Sequence, residues 1–163
     1  MTDRRLEEAL RHLHPAPGVK LWHGGATVLG ALRGVQAETA AWKPAADRHS
    51  IWALTLHIAY WKYAVWRRIT DEAKGGFPRK PSNWPAVPTE PTPIAWNEDR
   101  ALVRDTHMQL VEAVKHFDPS RLDKLAGAET KTTYADLISG IVLHDTYHIG
   151  QVQMLKRLWK STN

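Results

Sequence analysis

The chain has 163 residues, 43% of them hydrophobic, which suits one domain, residues 1–163, with a sizeable core. It contains no cysteine, which excludes disulfides, thiolate metal sites and a cysteine nucleophile, so any metal must be held by nitrogen and oxygen. The net charge of +5 comes from scattered basic residues with no accompanying nucleic-acid motif, so no nucleic-acid partner is expected. The first residues lack the apolar core of a signal peptide, and no apolar run approaches the ~18 residues that span a bilayer. The expectation is a cytoplasmic protein with no membrane association.

In chain order, residues 3–13 read as a short helix or arm, ended by Pro15 and Pro17. A first main helix is expected over 19–35, carrying Leu21, Val28, Leu29 and Leu32, although Gly24, Gly25, Gly30 and Gly34 lower its propensity. A second is expected over 50–69 with Ser50 as N-cap and an inward stripe of Leu54, His57/Ile58, Trp61, Val65 and Arg68/Ile69. Residues 74–93 hold six of the ten prolines and read as a long loop, either a connector along the bundle or a functional segment, with Trp84 the residue best suited to pin it down. A third helix follows over 94–117, with Thr92 as cap and Pro93 in the first turn; Asp118-Pro119 ends it, before a short helical turn at 120–125. The fourth runs over 134–160, opened by a Thr133/Asp136 capping box, with a stripe of Leu137/Ile138, Ile141, His144, His148, Val152, Leu155 and Trp159. Lys156, Arg157 and Lys160 fall in its last turns, where cations complement the macrodipole. Four striped helices and no strand predict an all-α four-helix bundle.

Three histidines interrupt these core-facing stripes. His144 and His148 are one helical turn apart on one face, and His57 faces inward from another helix. A buried polar group without a partner costs roughly 1–3 kcal/mol, so three on inward faces require a reason. Convergence on one divalent ion supplies it, with metal–nitrogen bonds of about 2.0–2.1 Å. The pair lacks the glutamate of H-E-x-x-H, so nothing points to a zinc protease. Imidazole ligands suit zinc and nickel, and also copper and iron. Three residues are candidates for the pocket around the ion: His49, two turns before His57; Trp61, one turn after it; and Gln151, three residues after His148. His12, His14, His107 and His116 read as surface or locally satisfied, and Asp145 as a partner for a histidine from a neighbouring element rather than a base.

The segments His49-Ser50-Ile51-Trp52, Leu56-His57-Ile58-Ala59-Tyr60-Trp61 and Gly140-Ile141-Val142-Leu143-His144-Asp145-Thr146-Tyr147-His148-Ile149-Gly150-Gln151 resemble the DinB/YfiT-like family of metalloenzymes. Trp22-His23-Gly24 and Asn83-Trp84-Pro85 add to the resemblance, which covers nearly the whole chain. It implies an up-down-down-up four-helix bundle, a homodimer, and a divalent ion, zinc or nickel first, held by His57, His144 and His148. The family includes thiol-dependent S-transferases that use bacillithiol or mycothiol, and a maleylpyruvate isomerase. The implied function is a metal-dependent enzyme acting on a small-molecule substrate, with a low-molecular-weight thiol as cosubstrate. The alternatives are a metal-dependent hydrolase and a non-catalytic metal-binding stress-response protein.

Overall fold

The computed structural model describes residues 3–22, 24–73 and 75–162. His23, one of the residues in the resemblance, lies outside them. Helices are α1 (Arg4–Leu13), α2 (Val28–Ala31), α3 (Ala37–Ala41), α4 (Ile51–Ile69), α5 (Pro93–Lys115) and α6 (Tyr134–Thr162), with a 3-10 turn at Pro119–Arg121. No strand occurs among the described residues; Leu125 and Thr133 form one isolated antiparallel bridge.

Side-chain oxygens satisfy the free amides at the helix starts. Asp3 accepts from Arg5 N–H, Ser50 from Ala53 N–H and Thr92 from Ala95 N–H. At α6 the Thr133 hydroxyl accepts from Asp136 N–H, while the Asp136 carboxylate accepts from Thr133 N–H, closing the expected box.

The helix expected over 19–35 does not form. Gly24 and Gly34 take φ of 65° and 74°, the left-handed region that breaks a right-handed helix and that glycine tolerates best. Between them only the short α2 survives, capped by Thr27, and α3 follows. The first arm of the bundle is instead α1, which reaches about half its height. Arg5 pairs with Asp123 at one end, and His14 meets His107 at mid-height. The α2–α3 segment fills the other half, tied down by the Trp96 indole donating to Val35 O at 2.8 Å and Lys156 donating to Ala31 O at 2.9 Å.

Apolar side chains gather in two clusters. One joins α2, α3 and the first halves of α4 and α5 to the end of α6, around Trp52, Leu56, Trp96 and Val152. The other joins α1 and the second halves of α4 and α5 to the start of α6, around Leu6, Leu110, Leu122 and Ile138. This pairing of halves makes α4 and α5 run in one sense and α1 and α6 in the other: up-down-down-up. Helix α4 is buried on more than the single stripe expected, because α3, α5 and α6 all pack on it. Between the clusters lies a polar layer: His57 and Lys62 from α4, Thr106 and His107 from α5, Asp145 and His148 from α6, all buried.

Candidate metal centre

His57 stands at the middle of α4, and His144 and His148 at the middle of α6, because each interrupts an apolar stripe where the two clusters part. Their ring centroids are 5.0 Å (His57–His144), 4.7 Å (His57–His148) and 4.4 Å (His144–His148) apart. One ligand-capable nitrogen from each lies within 4.8 Å of the other two. Three nitrogens on tetrahedral positions around an ion, with bonds of ~2.1 Å, would lie about 3.4 Å apart, so modest ring rotation closes the set.

The hydrogen bonds fix which nitrogens are free. His57 Nδ1–H donates to the Asn83 carbonyl at 2.6 Å, and His148 Nδ1–H to Gln151 Oε1 at 2.6 Å. Both rings therefore turn a lone pair on Nε2 toward the centre. His144 Nε2 sits 3.1 Å from His57 Nε2; with the His57 proton on Nδ1, the His144 Nε2–H is left to donate across this gap, where two lone pairs would otherwise face each other. A cation would take that proton's place once the two nitrogens part to about 3.4 Å. His144 Nδ1 is buried without a partner, so this ring alone lacks an outer hydrogen bond.

Burial also keeps the rings neutral, the form that binds metal. It lowers the His57 pKa to about 4, against the opposing Asn83 bond, with His148 and His49 adding to the shift. It lowers His144 to about 3, helped by the two other rings and Lys62. His148 is lowered as well, burial outweighing the Gln151 bond and Asp145.

The proline-rich loop is the crossover between the parallel α4 and α5, and it also builds the site. Asn83, at φ 69°, offers its carbonyl to His57 and its side-chain oxygen to the Trp61 indole at 2.8 Å. Trp84 lies between two imidazoles, stacked on His57 and on His49 with centroids 3.8 Å away in each case. Arg79 anchors the loop through the buried Asp99 at 2.9 Å, whose other oxygen accepts from the Trp52 indole.

All six residues singled out in the sequence come together here. Trp61 stands 6.4 Å from His57 and 6.1 Å from His144, ring to ring; Gln151 holds His148; His49 packs on Trp84. Two depressions flank the histidines. One of about 230 Å³ is lined by Trp61, Val65, Ile141 and His144, and the other, of about 560 Å³, by His49, Leu54, Gln151 and Met154. The loop's Trp84 covers His57 instead of lining either.

Two expectations are corrected. Asp145 does not orient a histidine: it pairs with Lys62 at 2.5 Å, both side chains buried. Burial pushes its carboxyl up while Lys62 pulls it down. The sequence does not single out Lys62, because a lone lysine on a helix normally reaches water; the signal for it is a second inward charge, Asp145. His107 is not a surface residue but 2% exposed, with Nδ1 unpartnered. Burial lowers its pKa to about 3, with Lys62 and His14 contributing.

The His107 shift has a measurable sign. Its folded pKa lies below the unfolded value of about 6.5, so the unfolded chain binds the extra proton between about pH 6.5 and 3. Stability is full above pH 6.5 and falls below it, by up to ~1.4 kcal/mol per pH unit from this group. In metal-free protein, His107→Leu should flatten the pH dependence of the urea midpoint between pH 6.5 and 4 by that amount. Parallel profiles for wild type and variant would show that His107 does not titrate as described.

The model of the DinB superfamily matches residues 21–152 of the chain. No curated protein and no solved structure matches it.

Proposed function

We propose that this chain, which belongs to the DinB superfamily, is a divalent-metal-dependent enzyme acting on small molecules, and that its reaction is transfer of a low-molecular-weight thiol to an electrophile. The observation that carries the metal reading is the pair of outer hydrogen bonds, His57 to the Asn83 carbonyl and His148 to Gln151, which leave both Nε2 atoms unprotonated beside His144, that of His57 only 3.1 Å from His144 Nε2. Two such bonds on two of three converging rings favour a ligand set over three separately satisfied core histidines.

His57, His144 and His148 would hold the ion, zinc or nickel. Bound there, it would supply a Lewis acid that favours the thiolate form of a thiol. The remaining chemistry belongs to the chain. Asn83 and Gln151 keep two rings in the ligating tautomer. Trp84 shields one face of His57 from water, and Trp61, held by Asn83, walls the depression beside His144. With no cysteine in the sequence, the nucleophilic sulfur of this reaction would arrive with a cosubstrate.

The test is the initial rate against a panel of electrophiles, with and without added thiol, in metal-loaded and chelator-treated protein. The expected result is turnover that requires both metal and thiol, is abolished in His57→Ala, and changes electrophile preference or KM in Trp61→Ala. Thiol-independent turnover of an ester or amide would replace this reading with a hydrolase. Metal binding without turnover in either assay would favour a non-catalytic metal-binding protein.

A further inference from the structure

Of the two depressions that flank the histidines, the smaller, of about 230 Å³, is the one lined by a ligand residue, His144. It is a trough between α4 and α6 that leads away from the metal centre toward the end of α4. Its walls are apolar: Trp61 and Val65 from α4, Leu137 and Ile141 from α6. At the far end stands Arg68, which also lines a second recess of about 400 Å³ built largely from residues 126–132. Arg68 is exposed and has no hydrogen bond or ion pair with any described residue. Its neighbours in the fold are committed: Arg67 donates to Glu72 O, Arg79 holds Asp99 and Arg121 holds Asp71. Asp136 lines the same end of the trough, but its carboxylate accepts from the Thr133 N–H and hydroxyl at the start of α6.

Resting on the enzymatic reading above, we propose that the electrophile is an organic anion: an apolar body, aromatic or aliphatic, lies along Trp61 in the trough, its reacting end toward His144 and its carboxylate on Arg68. An unpaired guanidinium at the end of an apolar trough suits this ligand, because its planar fork matches a carboxylate with two parallel hydrogen bonds. The span is that of a small molecule. Arg68 lies about 16 Å beyond His57 along α4 at 1.5 Å per residue, and a long helical side chain leans back toward the helix N-terminus, here toward Trp61 and the histidines. Glu129 on the wall of the second recess repels an anion placed deeper, so the carboxylate stops at Arg68. Gly140 sets the width of the trough: it lines the space without a side chain, and a Cβ added there would meet nothing within 4 Å.

Calorimetric titration of the full chain with phenylbutyrate and with its uncharged counterpart phenylbutanol tests this, in metal-free and in zinc-loaded protein. Wild type should bind the acid about fivefold more tightly than the alcohol in both forms, the upper range for an exposed ion pair. Arg68→Gln should erase that preference and leave the affinity for the alcohol unchanged. Gly140→Leu should weaken both probes about tenfold by filling the trough. Leucine favours helix over glycine, so its circular dichroism should remain that of wild type, and neither variant should lose metal. Equal affinities for the two probes, a preference that persists in Arg68→Gln or exists only with zinc bound, or no binding of either probe at millimolar concentration would overturn the proposal. Its failure and that of the enzymatic reading are separable. If the acid preference depends on Arg68 but no electrophile turns over, the trough is an anion site and the enzymatic reading alone falls. If neutral electrophiles turn over at rates that neither variant changes, the enzymatic reading stands and the organic anion is excluded.

Discussion

Substituting His148 by alanine should strip the protein of most of its metal. The variant loses one of three imidazoles and leaves the Gln151 amide without its partner. Competition titration with a chromophoric chelator, with metal content by mass spectrometry, should show a loss larger than any change outside the ligand set produces. Gln151→Ala sets the comparison: removing an outer hydrogen bond to a metal-binding histidine typically costs 10–100-fold, so a weakening of about that size is expected. Asn83→Val should fall in the same range. Valine tolerates the Asn83 φ of 69° poorly, so the carbonyl that holds His57 would shift. His12→Ala should leave metal content unchanged. If a His57/His144/His148 triple-alanine protein bound as much metal as wild type, the assignment would fall.

The second large effect concerns stability. Lys62 is 0% exposed and its only ionic partner among the described residues is Asp145. Removing one member of a buried pair strands the other charge, at a cost of about 3–5 kcal/mol. Asp145→Ala should therefore lower the urea midpoint of the metal-free protein sharply. The paired substitution Lys62→Met with Asp145→Leu should cost far less, because both desolvation penalties disappear with the charges, and Asp145 Oδ1 already lacks a partner. A double variant as unstable as the single one would mean that the pair contributes through its shape and not its charge.

Much of this architecture is legible in the sequence because its signals are local. Ser50, Thr92 and the Thr133/Asp136 box are capping residues whose chemistry acts within one turn, and α4, α5 and α6 start where they indicate. The three ligand histidines stand out for the same reason: each breaks a stripe whose period is set by the helix. What the sequence does not disclose depends on encounters distant along the chain. The glycines at 24 and 34 end a helix by taking left-handed φ, which propensity alone does not distinguish from close packing. Lys62 and Asp145 are separated by 83 residues, and Asn83 and His57 by 26, so neither pairing follows from any period. A single stripe on α5 leaves His107 outside the core, as a surface or locally satisfied residue. The α1 contact, through His14, covers a second face.

The crossover loop carries one more consequence. Its attachments are contacts onto the side chains of finished helices: Arg79 donating to Asp99, Gly76 N–H donating to the Tyr63 hydroxyl, Trp84 between His49 and His57. It has few backbone hydrogen bonds of its own, Ala86 N–H to Lys80 O being one. A segment held this way can detach in a sub-global opening that leaves the helices intact. Amide hydrogens over 78–90 should therefore exchange far sooner than those in the middle of α4. Since that same detachment uncovers His57, the rate at which a bound ion leaves should follow the opening of the loop and not the unfolding of the bundle.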